Sequence, residues 1–479
     1  MKKCLSFKVT QRDNHTLKTG IAGFDELVDS LPKGGLIVVS GTPGTGKTAF
    51  ATAFIHNGAV KFGEPGVYAS LIEDEKSFNE YMKNFGYDFA KLRVKNLFRY
   101  IALPTLLEPG VTTAMNHVLE VVSSINAKRL VIDSYTALNQ MFKRHAEARV
   151  FLHTLVSKIV KKLGCTMILI KEEQTSEKKE YEFQEFVADV VIHLKTNRLE
   201  GKLLRELTIV KLRGAEVKFP DACFTLHGGF RIFPPFRGKL TPVKYKPPED
   251  PPGKYTTGLP DLDREIGGYP KGSTILIEID PKLTPMEYGL VVAPVLASFI
   301  LKGRSLVVIP SGGVIPDFLE DMFRLYGISR QEFLERCHIF YEKGVPIRKP
   351  PNVIEFEPKP VEEATRRIIE FTVKLTEKTG KPPIVLLGID RIVHLGGGAA
   401  LDQLSVAQDC VRAHNKLMIW LLKPTRPWIR ERLAPIADIH LKIMRRHGCI
   451  LFYGIKPRTS LYALEIMAQN PIPKLVPIT

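Results

Sequence analysis

Gly41-Thr42-Pro43-Gly44-Thr45-Gly46-Lys47-Thr48 is the stretch that decides the fold of this 479-residue chain. Its spacing, Gly-x4-Gly-Lys-Thr, is that of a Walker A phosphate-binding loop, and each fixed position has a physical task. The glycines let backbone N–H groups come close enough to point at phosphate oxygens. Lys47 brings a mobile positive charge to the β- and γ-phosphates, and the Thr48 hydroxyl is a hard oxygen ligand for Mg²⁺. The flanks agree. Gly35–Ser40 is a short apolar run of strand type, and Ala49–Ile55 reads as helix. A loop between strand and helix aims the helix N-terminus at the phosphates. The competing reading, an incidental glycine-rich turn, must match every fixed position and both flanks by chance. Gly41 to Ala49 are therefore the candidate nucleotide-binding residues.

Working outward, the chain repeats itself. Thr19-Gly20-Ile21-Ala22-Gly23-Phe24-Asp25 is echoed by Thr257-Gly258-Leu259-Pro260-Asp261-Leu262-Asp263, and Pro32-Lys33-Gly34 by Pro270-Lys271-Gly272. Both echoes share an offset of 238 (257 − 19 and 270 − 32), which a chance match would rarely give. Between the copies, Phe233 to Gly253 carries Pro234, Pro235, Pro242, Pro247, Pro248, Pro251 and Pro252, and such a stretch cannot be helix or interior strand. The organisation expected is a domain at 1–235, a stiff linker at 236–253 and a second domain at 254–479. Short apolar runs (Val67–Leu71, Leu130–Ile132, Thr166–Ile170) alternate with amphipathic segments such as Ala148–Leu163. That alternation predicts an α/β fold with a mainly parallel sheet covered on both faces. Val190–Leu194 and Glu206–Leu212 read as a closing β-hairpin.

Bulk composition narrows the class. At 44% apolar and 25% charged residues the chain is that of a soluble globular protein. No run approaches the ~18–20 apolar residues of a membrane span, and no signal peptide is legible, so a cytoplasmic protein is expected. The six cysteines are scattered without a Cys-x-x-Cys pair, which points to neither a disulfide framework nor a zinc site. The net charge of +17 is compatible with nucleic acid as a partner, but it also favours ATP and is spread over both halves.

Thr19-Gly20…Asp25, the Gly41–Thr48 loop, Leu130-Val-Ile-Asp133-Ser134, Phe186-Val-Ala-Asp189 and Lys211-Leu-Arg213-Gly214 together resemble the KaiC branch of RecA-like ATPases. The resemblance spans nearly all of residues 17–235. Gas-vesicle regulators of the GvpD kind are among the candidate relatives. It implies two tandem RecA-like domains, with ATP and Mg²⁺ as ligands and a homo-oligomer, a hexamer above all. Asp133, ending an apolar strand, is then the Walker B carboxylate that holds Mg²⁺ through water beside Thr48. The family carries a glutamate pair after its second strand to polarise the attacking water. Here Ile72 stands at the first position and Glu73 at the second, which makes Glu73 the candidate base. Lys211 and Arg213 match a Lys-x-Arg that reaches the γ-phosphate bound by a neighbouring subunit. Strand alternation puts both on one face. The blander readings, a solvated acidic loop and two exposed strand cations, stay open.

In the second copy, position 41 maps to 279, and Ile279-Asp280-Pro281-Lys282-Leu283-Thr284-Pro285-Met286 has lost all three glycines, the lysine and the hydroxyl. Proline also lacks the N–H that would bind phosphate. Asp390 remains as a Walker B echo. The second domain is therefore expected not to hydrolyse ATP, and the autophosphorylation of clock KaiC proteins is not carried over. Two features are left: Lys456-Pro457-Arg458, which repeats the Lys-x-Arg, and Arg426-Pro-Trp428-Ile-Arg430-Glu-Arg432, which suits nucleic acid, a subunit interface or plain surface. The leading expectation is a slow ATPase acting as an oligomeric regulatory module. A nucleic-acid-dependent motor and a non-hydrolysing ATP sensor acting on transcription or another partner are the alternatives.

Overall fold

The computed structural model describes residues 16–103, 111–137, 150, 152–154, 156–173, 183–346, 348–423 and 426–479. Strand β1 (Leu36–Gly41) forms because Leu-Ile-Val-Val-Ser-Gly is buried at every position, the pattern of a strand covered on both faces. Ile37 and Val39 enter one apolar core with Phe50 and Phe54 of the following helix, α1 (Lys47–Phe62). Leu36 and Val38 enter a second core on the opposite face, with Val67, Leu130 and Ile132. The sheet therefore separates two cores, and its strand ends are free to carry chemistry.

The remaining strands of this unit are β2 (Gly66–Ser70), β3 (Phe98–Ala102), β4 (Arg129–Asp133), β5 (Thr166–Glu172), β6 (Val190–Leu199), β7 (Lys202–Leu212), β8 (Asp221–Thr225) and β9 (Arg231–Phe233). Their order across the sheet is β9-β8-β7-β6-β1-β5-β4-β2-β3. From β6 to β3 the neighbours are parallel, and the last pairs at the other edge are antiparallel. The parallel register sets Gly41 opposite Glu172, and Ser70 opposite Asp133. The carboxyl ends of β1, β2, β4 and β5 thus open on one crevice. The β6–β7 hairpin is longer than its apolar residues suggest, because Lys195 to Arg198 are exposed yet paired with β7. Of the expected helix Ala148–Leu163, Val156–Lys162 is a π-helix, and residues 148, 149, 151 and 155 lie outside the described residues.

The chain divides into two units, Met1–Pro234 with Ile478–Thr479, and Pro235–Pro477. In the second, β10 (Thr274–Ile279), β11 (Leu306–Ile309), β12 (Cys337–Glu342), β13 (Val353–Phe356), β14 (Ile384–Gly388), β15 (Leu417–Leu422), β16 (Ile439–Arg446), β17 (Cys449–Lys456), β18 (Tyr462–Met467) and β19 (Asn470–Pro477) lie in the order β13-β12-β11-β14-β15-β10-β16-β17-β18-β19. Strand for strand this is the order of the first sheet with one more edge strand. Both units are RecA-like α/β sheets.

The proline-rich stretch contains no helix or strand, yet it is not a free spacer. Within the second unit Val243 N–H donates to Leu325 O (2.9 Å), the buried Tyr245 hydroxyl donates to Gly258 O (2.9 Å), and Asp250 pairs with Lys302 and Arg304, both at 2.6 Å. Prolines deny this segment a ladder, so single backbone bonds and side chains hold it instead. No helix among the described residues is long and apolar enough to cross a membrane.

Candidate nucleotide site

The loop between β1 and α1 needs glycine where it turns. Gly44 and Gly46 have φ of 78° and 97°, in the left-handed region that side chains avoid. The first bond that α1 receives is from Phe50 N–H to Gly46 O (2.9 Å). The preceding amides of Lys47, Thr48 and Ala49 belong to the first turn, which has no intrahelical acceptor. Gly41, Thr42, Pro43 and Thr45 complete the cradle, and the Thr45 hydroxyl bonds Thr42 O at 2.8 Å. Lys47 Nζ donates to Thr42 O (2.9 Å). Burial pulls its ammonium below the usual lysine value, and the carboxylates of Glu172, Asp133 and Glu173 oppose that shift. A phosphate in the cradle would take over the ammonium from a neutral carbonyl.

Asp133 ends β4 one strand away from β5, and Thr48 Oγ1 donates to its Oδ2 at 3.0 Å. Two hard oxygens from the loop and from the Walker B strand therefore meet at one point, the donor set Mg²⁺ takes. Tyr68, on β2, donates to the same Oδ2 at 2.6 Å. Burial raises the Asp133 carboxyl above the ordinary aspartate value, against the opposing pull of Tyr68, Thr48 and Lys47. No periodicity in the sequence announces Tyr68. It becomes a site residue only because parallel pairing sets β2 beside β4.

Three carboxylates follow β2, and only one is left for chemistry. Asp74 caps the helix α2 (Glu75–Asn84) through Lys76 N and Ser77 N, and Glu75 pairs with Arg93 at 2.7 Å. Glu73 has its backbone fixed by Ser70 Oγ and by the Tyr100 hydroxyl, at 3.1 and 2.6 Å. Its carboxyl is raised by burial first, then by Asp133 and Asp74. Ile72 beside it is 64% exposed, so nothing in the core requires an apolar residue there.

Lys211 and Arg213 lie elsewhere. Lys211 Nζ donates to Glu185 O and Phe186 O, and Arg213 to Phe186 O, at the end of the helix Phe183–Val187. Arg213 is exposed. Neither cation is brought to the phosphate loop of its own chain. Two residues unmarked in the sequence are. Arg205 of β7 donates to Gly44 O at 3.0 Å. His193 Nδ1 lies 2.9 Å from Glu173 Oε1 and 3.2 Å from Ser40 Oγ, at the end of β1. Of the acidic stretch Glu172–Glu185, residues 174–182 lie outside the described residues.

These features coincide with a family match: residues 17–234 fit the family described as "ATPase: KaiC". The first domain is a KaiC-like ATPase domain. The circadian clock oscillator protein KaiC of Synechococcus elongatus is 33% identical over 273 residues, 54% of this chain and 51% of that protein. The chain thus spans about half the length of the KaiC proteins it matches. Protein GvpD2 of Halobacterium salinarum is 22% identical over 468 residues, 92% of both chains. A crystal structure of a KaiC-like protein from Pyrococcus horikoshii OT3 has 32% identity over 46% of this chain and 99% of that one, with a TM-score of 0.42.

In the second unit the equivalent loop leads into the helix Pro285–Leu301, whose first residue falls at the offset of Lys47 (47 + 238). Thr284 and Glu287 close a capping box over this helix start, so a side chain of the chain itself takes the amides that a phosphate would bind. Arg445 fixes Glu287 at 3.1 Å, and its N–H bonds Asp280. Asp390 lies in the first turn of the helix that follows β14 and accepts from Gly312 N–H (2.8 Å). Arg432 of the Arg-Trp segment is paired with Asp402, whereas Trp428 is 39% exposed.

Proposed function

We propose that the chain is an oligomeric regulatory ATPase in which the KaiC-like domain binds and slowly hydrolyses Mg-ATP and the second domain does not. The observation that carries this reading is the meeting of Thr48 Oγ1 and Asp133 Oδ2 at 3.0 Å beside Lys47. Mg²⁺ bound there would draw charge from the β- and γ-phosphates. Lys47 and the helix amides would hold those phosphates, Asp133 would hold the metal beside Thr48, and Glu73 would accept a proton from the attacking water. Burial, Asp133 and Asp74 raise the Glu73 carboxyl above its ordinary value, which makes it a better proton acceptor than a solvated glutamate. Lys211 and the exposed Arg213 would complete the site of a neighbouring subunit in a ring, most naturally a hexamer. In the second domain Pro285 and Met286 stand at the lysine and hydroxyl positions, and the Thr284–Glu287 capping box covers the helix amides.

The test is phosphate release from ATP by the full chain, with Lys47→Ala as the blank. Turnover above the blank that single-stranded DNA leaves unchanged supports the regulatory ATPase. Strong stimulation by DNA would favour a motor using the Arg426–Arg432 segment. One observation favours a second reading, an ATP sensor without significant turnover: Ile72 occupies the position where relatives carry the first glutamate. In that case ATP binds tightly and phosphate release equals the blank.

A further inference from the structure

Between the helices Val361–Thr379 and Ile389–Ala413 of the second unit lies a cavity of about 90 Å³, floored by the strands β14 and β15. Its walls are apolar, with Ile368, Leu387, Leu404 and Ala407 among them. At one end is an ammonium. Lys416 is 1% exposed, and its Nζ bonds Thr372 Oγ1 at 2.8 Å and lies 3.3 Å from Cys410 Sγ. All three of these side chains line the cavity.

This combination is unusual. A lysine is almost never fully buried without an anionic partner, because removing its charge from water costs several kcal/mol. Among the described residues the Lys416 ammonium makes no ion pair, and its two contacts are a hydroxyl and a thiol. An ammonium has three donors, so two neutral acceptors leave one for a guest. The apolar walls decide the rest of that guest's chemistry. Small-molecule sites are mostly apolar, with few polar groups placed to orient the ligand.

We propose that this cavity binds a small amphipathic carboxylate, with its anionic head on Lys416 Nζ and the first carbons of an apolar chain against Ile368 and Leu404. An engineered apolar cavity of about 150 Å³ accepts benzene, so this one, at about 90 Å³, encloses less than a ring, and the end of a longer chain extends out of it. The helix Ile389–Ala413 forms one wall of the cavity. It is broken at Gly397 (φ 59°, ψ −144°), a conformation open only to glycine, and the neighbouring Gly396 and Ala400 line the cavity. The segment Ile389–Gly396 before the break carries Asp390. A bound carboxylate would therefore bear on the part of the second domain where a Walker B residue survives. The inference does not depend on the ATPase reading of the first domain.

The experiment is calorimetric titration of the full chain with octanoate, and in parallel with octylamine, which has the same tail and the opposite charge. Octanoate is expected to bind once per chain, and octylamine at least tenfold more weakly. Lys416→Met keeps most of the side chain's length and removes its charge, and should weaken octanoate at least tenfold. Ala407→Phe fills the cavity without touching the ammonium and should abolish binding. Circular dichroism checks that both variants are folded. Absence of octanoate binding to the unaltered chain overturns the proposal. So does equal binding of octylamine, or octanoate binding unchanged in Ala407→Phe. The comparison of octanoate with octylamine needs no variant, so it decides the matter even if Lys416→Met does not fold.

Discussion

Replacing Arg129 with methionine tests how the Walker B strand is tied to the phosphate-loop helix. Arg129 begins β4, the strand that ends in Asp133, and its guanidinium is completely buried. Its Nε and Nη2 hold Glu64 Oε2 at 2.7 and 2.6 Å, while Nη1 and Nη2 reach the carbonyls of Thr19, Phe54 and Lys18 at 2.9, 2.7 and 2.7 Å. Gly58 leaves the room for this clamp, since a Cβ there would sit 2.3 Å from Arg129 Nε. Breaking a buried ion pair from one side costs about 3–5 kcal/mol. Glu64 is 23% exposed and can regain some water, which argues for the lower end of that range. Two carbonyls outside the helix, Thr19 O and Lys18 O, lose their donor at about 1–3 kcal/mol each. Methionine packed on Phe54 recovers about 1–2 kcal/mol. The net loss is about 3–8 kcal/mol, a large part of the ~5–15 kcal/mol that a domain has. With a urea slope near the upper ~3 kcal/mol/M, the midpoint should fall by about 1.5 M. The chain offers an internal control, because its only two tryptophans, Trp420 and Trp428, both lie in the second unit. Circular dichroism should show an early loss of the first unit while tryptophan fluorescence keeps its midpoint. A shift below about 0.5 M, or equal shifts by both probes, would refute the reasoning.

Further outcomes are expected at the same site. Thr48→Val keeps the shape and removes the hydroxyl. Nucleotide affinity measured with Mg²⁺ should then fall at least tenfold, while affinity in the presence of EDTA changes little. Glu73→Gln should abolish phosphate release and retain ATP binding, whereas Asp74→Asn should leave turnover in place because that carboxylate serves as a helix cap. Ile72→Glu, at an exposed position, should raise turnover. The folded-state pKa values of Asp133 and Glu73 both lie above their ordinary values of 3.8 and 4.5, so each protonates earlier as pH falls. Mg²⁺-dependent binding should therefore be lost on an acid limb displaced upward from that of solvated carboxylates, and Asp133→Asn should remove that limb. The stability effect has the opposite sign. The native state holds these protons more tightly than the unfolded chain, so the contribution of the two carboxyls to folding declines as pH rises through the same window. Ligand-free unfolding of Asp133→Asn against pH measures it.

Sequence alone was sufficient wherever chemistry is written in consecutive residues. Gly41 to Thr48 fix a loop whose turns need glycine and which presents a lysine and a threonine, so the candidate phosphate site was legible before any tertiary contact. The common offset of 238 made the second copy visible, and Pro285 and Met286 made its decay visible. An all-apolar strand such as Leu36–Gly41 announces a sheet covered on both faces for the same reason.

What only the tertiary structure decided depends on register between distant strands. Tyr68 reaches Asp133 because β2 lies beside β4, and Arg205 reaches Gly44 across a hairpin whose polar half looks like loop in the sequence. Asp74 and Glu75 are removed from the list of bases by a cap and by Arg93, contacts that composition cannot reveal. The proline-rich stretch is bound to the second unit by Asp250 and Tyr245, although its composition reads as a spacer. Lys416 is an ordinary lysine in the sequence. Only the packing of two helices over β14 and β15 buries it and makes its charge matter, because the cost of a charge is set by the water it has lost.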